Sequence, residues 1–172
     1  MNLEKLFEMQ RKLDERIIEE KGLYGQDLLD KKILALQVEL GELANEWRGF
    51  KYWSKNQEPR TVKYIENRKH RQNPLLEEYV DCLHFLLSIG LESEIGAFTG
   101  DELMIIKMGT IEMQFITLFK ATVTFLEDIS YYQEMWELFL GLGEMLGFSW
   151  EEVEEAYMQK NAENHRRQEV GY

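Results

Sequence analysis

Helix breakers are scarce in this chain. Its 172 residues include two prolines, Pro59 and Pro74, and both fall in one polar segment. Proline removes a backbone donor and its ring clashes with the preceding turn, so long stretches without it favour long helices. The apolar residues recur at helical spacing. Leu3, Leu6, Phe7, Met9, Leu13, Ile17 and Ile18 predict a helix over 2–21, broken by Gly22 and Gly25. A second helix is predicted from about Gln26 to Trp47, ending at Gly49. Pro74 suits the first turn of a third, which runs through Leu75 to about Phe98. Gly100 and Asp101 make a break, and helices over 103–127 and 130–146 follow. Ser149 with Glu152 forms a capping box that opens a last helix to about Gln168. No alternating strand pattern of useful length and no internal repeat is present. The expected class is all-α: a single domain over 1–172, built as a bundle of five to six helices.

Composition narrows the function classes. The hydrophobic fraction of 44% supports a globular core. A formal net charge of −12 repels duplex nucleic acid, so no nucleic-acid partner is expected. The same field does not attract free nucleotides, so a nucleotide site would need its own cations. One cysteine, Cys82, excludes an internal disulfide, and its apolar setting reads as a small buried residue. The charged N-terminus shows no signal peptide, and no apolar run reaches the length of a membrane span. A cytoplasmic protein without membrane contact is expected.

Two carboxylate pairs carry the chemistry: Glu39-x-x-Glu42 and Glu78-x-x-Asp81. Residues three apart share one helical face. Val38, Leu40 and Leu43 surround the first pair; Tyr79, Val80, Leu83 and Phe85 surround the second. One such pair is common on a solvated helix face. Two pairs, each inside an apolar pattern, are different, because acids among apolar neighbours repel unless a cation sits between them. A hard divalent metal, Mg²⁺ above all, takes oxygen ligands and keeps positions for water and phosphate.

Two basic segments stand out in so acidic a chain. The polar loop 54–74 holds Lys55, Arg60, Lys63, Arg68, Lys69 and Arg71 against Glu58 and Glu66. It reads as a solvated loop, or as one that folds over bound phosphates. In the tail 157–172, Lys160, Asn164 and Arg167 are spaced to share one helical face. Such a set can clamp a polyphosphate, and it equally resembles a solvated helix end with basic residues placed to suit the helix dipole. The apolar surplus over 103–146, with Met104, Met108, Met113, Met135 and Met145 among Phe115, Phe119, Phe125, Trp136 and Phe139, reads as core residue by residue. Taken together it points to a homodimer interface.

The two acidic pairs, the Trp53-Ser54-Lys55 segment between them, the N-terminal LFEMQRKLDERI and the closing KNAENHRRQ-x-x-GY resemble the dimeric all-α dUTPases. The phage and Gram-positive branch is nearest. That family lies within the all-α nucleoside triphosphate pyrophosphohydrolases, which include the MazG-type enzymes, and the likeness spans nearly the whole chain. It implies hydrolysis of dUTP to dUMP and pyrophosphate with Mg²⁺ as cofactor, more than one ion per site. Carried over by position, Glu39, Glu42, Glu78 and Asp81 would bind metal, and Glu39 would also act as the catalytic base. Lys160, Asn164 and Arg167, with Lys55, would hold phosphates. Gln10, Asp14 and Trp53 would meet the nucleoside. Many relatives have Asn where this chain has Asp14, and an ionised carboxylate only accepts hydrogen bonds. The resemblance also implies attack at the β-phosphorus, a choice the residues leave open.

Rival readings differ in observable ways. A pyrophosphohydrolase of the same fold acting on another nucleotide, such as dCTP, would keep the metal site and change the base pocket. A di-metal redox bundle would use Asp81-x-x-His84, but no second carboxylate–histidine step exists, since His70 lies in the loop and His165 in the tail. His84 itself reads as a hydrogen-bonded, partly buried residue. A non-catalytic helical interaction protein would explain the apolar surface and leave four inward acids without a role.

Overall fold

The computed structural model describes residues 2–64, 71–95 and 103–171. Six helices are found among them: α1 (Leu3–Lys21), α2 (Leu29–Trp47), α3 (Pro74–Glu92), α4 (Ile111–Glu127), α5 (Tyr131–Leu146) and α6 (Trp150–Glu169). Local sequence explains most of the ends. The Asn2 side chain caps α1, and Gly22 closes it with φ 65°. Pro74 opens α3, with the Asn73 side chain accepting from the Leu76 N–H. The capping box of Ser149 and Glu152 is formed at α6.

Four sequence expectations need correction. The residue in the left-handed region after α2 is Arg48, with φ 67°, and not Gly49. Gly49 is required for another reason: a Cβ there would run into the Trp47 indole. Helix α3 stops at Glu92; Phe98, its expected end, lies outside the described residues along with the break at Gly100 and Asp101. The segment 103–110 is not helical. It lies along α5, with the Ile106 N–H donating to the Glu137 carbonyl and Gln114 Nε2 donating to the Ile106 carbonyl. The approach is close enough that a Cβ on Gly141 would strike the Ile106 carbonyl. Helix α4 therefore begins only after Thr110, whose hydroxyl accepts from the Met113 N–H. Finally, the polar loop contains a two-residue antiparallel ribbon, β1 (Lys63–Tyr64) on β2 (Arg71–Gln72), with Lys63 opposite Gln72. Arg68 and Lys69, named above among its cations, lie outside the described residues.

Helix α3 is the axis of the fold. It packs most extensively on α2 and also meets α1, α5 and α6. The buried stripe of α2 (Ile33, Leu36, Leu40, Leu43) faces a helix that is apolar nearly all round, with Leu75, Tyr79, Val80, Leu83, Leu86 and Leu87 buried. Half of the Met and aromatic residues singled out in the second half belong to this core: Phe115, Phe125, Met135, Trp136 and Phe139 are at most 5% exposed. Met104 and Met113 of that set are exposed, and further apolar side chains join them at the surface. Met113, Ile116 and Val123 project from α4, with Leu126 beside them, and Leu34 and Val38 project from α2. No helix among the described residues is long and apolar enough to cross a membrane.

Candidate functional site

Packing of α2 on α3 brings three of the four predicted acids together. Glu39 comes from the middle of α2, and Glu78 and Asp81 lie one turn apart on α3. One carboxylate oxygen from each lies within 4.8 Å of the others. Glu42 is exposed and stands outside this trio, yet its charge still acts on Glu39 and Glu78. The acids repel. Burial, then the charges of Asp81 and Glu42, pushes the Glu39 carboxyl up to about 7. Burial, then Asp81, Glu42 and Glu39, pushes Glu78 up to about 7 as well. Burial raises Asp81 too, against the pull of Lys160.

Lys160 reaches the trio from α6. Its Nζ donates to Asp81 Oδ2 at 2.6 Å and to Glu77 Oε1 at 3.3 Å, and its side chain is 11% exposed. Burial alone would lower this ammonium, but Asp81 and Glu77 outweigh it and leave the lysine raised. One positive charge still faces three acids. A set of hard oxygen donors, half-buried and under-compensated, fits a hard divalent cation and not a soft one. Arg167, seven residues on, bonds Glu163 Oε1 at 2.9 Å, and its charge also reaches Asp81. Asn164 is half-buried between them on the same face. The tail thus meets the acids through Lys160, a contact that the spacing did not announce.

The residues expected at the nucleoside divide. Trp53 is 64% exposed, edge-on to Phe50 and Tyr52, and Lys55 beside it is exposed. Gln10 and Asp14 are instead drawn inward. Gln10 Nε2 donates to Asp14 Oδ1 at 2.8 Å, while Gln10 Oε1 accepts from the Tyr157 hydroxyl at 3.0 Å and lies 2.7 Å from His84 Nδ1. Asp14 Oδ2 accepts from Ser88 Oγ at 2.5 Å and from Lys32 Nζ at 3.4 Å. Lys32 also pairs with Glu92 at 2.7 Å. Burial, then Lys160, lowers His84 to about 3, so the ring is neutral. His84 stacks on Tyr157 with ring centroids 4.3 Å apart.

Sequence reasoning missed Lys32, Ser88, Tyr157 and Asn161. A signal existed for three of them. Ser88 follows His84 by four residues on α3, and Tyr157 and Asn161 flank Lys160 at helical spacing on α6. Lys32 pairs only through tertiary structure and has no local signature. His84 is hydrogen-bonded as read, and more deeply buried, at 5% exposed.

An all-helical fold carrying an acid cluster suited to a cation is the class that this scaffold defines. The profile of the dUTPase family matches residues 2–172, and the chain belongs to that family. Its activity is that of a dUTP diphosphatase, hydrolysing dUTP. No curated protein matches the chain.

Proposed function

We propose that the chain is an Mg²⁺-dependent enzyme that splits dUTP into dUMP and pyrophosphate, with 1–172 acting as one catalytic domain. The observation that carries this is the acid trio, three oxygen donors from two helices within 4.8 Å. Glu39, Glu78 and Asp81 would hold the cation, with Glu42 completing the set where a second ion binds. Mg²⁺, when bound, neutralises phosphate oxygens and makes a water a better nucleophile.

The chain's own residues do the rest. Glu39 orients the attacking water and takes its proton as a positioned carboxylate. The water oxygen bonds to phosphorus as the bridging oxygen departs. Lys160, Asn164 and Arg167 line one face of α6 and stabilise charge on the phosphates and on the leaving group. Lys55 is a further phosphate contact from the loop. Trp53 covers the nucleoside, and Gln10 and Asp14 set the polar end of its pocket.

Two copies assemble through the exposed apolar face of α4, where Met113, Ile116 and Val123 stand 45–59% exposed. The enzyme works in the cytoplasm.

The test is pyrophosphate release with Mg²⁺ from dUTP, dCTP, dTTP and UTP side by side, with EDTA as control. Preference for dUTP that EDTA abolishes supports the proposal. Turnover of dCTP instead would retain the acid centre and replace the base pocket. No release from any nucleotide would overturn the catalytic reading.

A further inference from the structure

The buried network around Asp14 has a direction. A carboxylate carries no donor, so Asp14 Oδ1 can only accept, and the Gln10 group facing it at 2.8 Å must be the amide NH₂. The Gln10 carbonyl is then turned the other way, 2.7 Å from His84 Nδ1 and 3.0 Å from the Tyr157 hydroxyl. A carbonyl cannot donate either, so His84 must carry its proton on Nδ1. A neutral imidazole has one ring proton. Nε2 is therefore a bare acceptor, and it is buried without a hydrogen-bond partner among the described residues. An unpartnered acceptor inside a protein is costly and calls for an explanation.

Lys32 and Ser88 hold the source of this polarity in place. Both donate to Asp14 Oδ2, and Glu92 anchors Lys32 from the end of α3. An asparagine at position 14 could present its NH₂ to Gln10, reverse the Gln10 amide and leave the proton of His84 free to sit on Nε2. With the acid, one arrangement is left.

We propose that Lys32 and Asp14 are positioning residues that lock His84 with Nε2 as an acceptor, and that this nitrogen receives a hydrogen-bond donor of the bound nucleoside. The inference rests on the dUTPase reading and deepens it. The donor is an N–H of the base edge or a sugar hydroxyl. Asn161, buried one turn beyond Tyr157 on α6 and interacting with its hydroxyl, adds a donor to the same polar cluster.

The test begins with the unmodified full chain. Two-bond ¹H–¹⁵N spectra report which ring nitrogen of His84 carries the proton, and the expected pattern is Nδ1–H, opposite to the preference of free histidine in water. A proton on Nε2 overturns the proposal. Turnover is then compared for dUTP, N3-methyl-dUTP and 2′,3′-dideoxy-UTP in the wild type and in Asp14→Asn. The variant is expected to shift the ring signals and to lose about tenfold in kcat/KM on dUTP. It should lose little on the analogue that lacks the relevant donor: the methylated base if the donor is N3–H, the dideoxy sugar if it is the hydroxyl. Equal losses on all three substrates overturn the proposal. Lys32→Met provides a second variant with the same expectation should Asp14→Asn fail to fold. The ring spectrum needs no turnover, so it decides the tautomer even if the catalytic reading fails.

Discussion

Lys160 Nζ lies 2.6 Å from Asp81 Oδ2, so the tail lysine occupies one flank of the acid trio. It is a cation already in contact with a carboxylate that would hold the metal. Removing it takes away the positive charge nearest Asp81 and leaves the acids less compensated. Lys160→Met is expected to bind Mn²⁺ roughly three- to tenfold more tightly while turnover falls about 100-fold through lost stabilisation of phosphate charge. An Mn²⁺ titration by electron paramagnetic resonance, beside a turnover assay, checks both. Weaker Mn²⁺ binding would show that Lys160 supports the acids and does not compete for them.

Glu39→Gln removes the proposed base from the trio. Turnover should fall by about 10²- to 10⁴-fold. The fold should persist, because the change also removes a charge that burial and Asp81 both disfavour. The metal-free variant should melt no lower than the parent near pH 8. Activity close to that of the parent would take Glu39 out of the mechanism.

The raised acids set a pH dependence. Glu39 and Glu78 stand near 7 in the folded chain, against an ordinary value of 4.5. The folded state thus favours their neutral forms, so this contribution to stability is complete below about 4.5 and is lost as pH climbs through about 7. A cation needs the ionised forms. Metal affinity should therefore rise steeply from pH 6 to pH 8, and binding at pH 7 should release protons. Thermal melts with and without Mg²⁺ give the check: the cation should raise Tm more at pH 8 than at pH 6. An equal rise at both pH values would contradict the electrostatics of the trio.

How far the site could be read beforehand depends on whether each feature is local. The acid pairs, the caps of α3 and α6 and the basic face of the tail are all set by neighbours within a turn or so, and their spacing exposed them. Lys32 on Asp14, Gln10 on His84 and the 103–110 segment on α5 join residues far apart in the chain, and periodicity carries no trace of them. The helix expected over 103–110 failed for that reason. Its residues have apolar content suited to a helix, but their backbone groups bond to α5 and to Gln114 instead. The apolar surplus in the second half was visible, but its division between core and surface was not. Phe115 and Phe125 turn inward while Ile116 and Val123, each a neighbour or near-neighbour of one, turn out.

That outward face supports an assembly prediction. If two copies assemble through this face as proposed, Ile116→Asp together with Val123→Asp should leave the chain monomeric at micromolar concentration, since charges would be buried without partners. Light scattering coupled to size exclusion measures it. A parent chain that is already monomeric at high concentration would reject this face as an interface.

Close approach of α3 and α5 gives a stability test. A Cβ on Gly90 would collide with the Tyr132 ring, whose hydroxyl donates to the Leu86 carbonyl at 2.8 Å. Gly90→Ala should cost about 1–3 kcal/mol, the range for overpacking a core, and lower Tm accordingly. Chemical denaturation of parent and variant gives the difference. No loss of stability would mean that the two helices separate more easily than their contact implies.

Glu78, Asp81, His84 and Ser88 all stand on α3, ten residues or about 15 Å of helix from first to last. On the proposed reading the helix works as a ruler graduated at both ends, with the acids that would hold the cation at one end and His84, set against the nucleoside, at the other. Inserting a single residue between Asp81 and His84 would turn one end by about 100° against the other and lengthen the gap by about 1.5 Å. Reactivity and discrimination cannot drift apart by small steps along this element. Changes in substrate preference have to come from the helices that lean on α3.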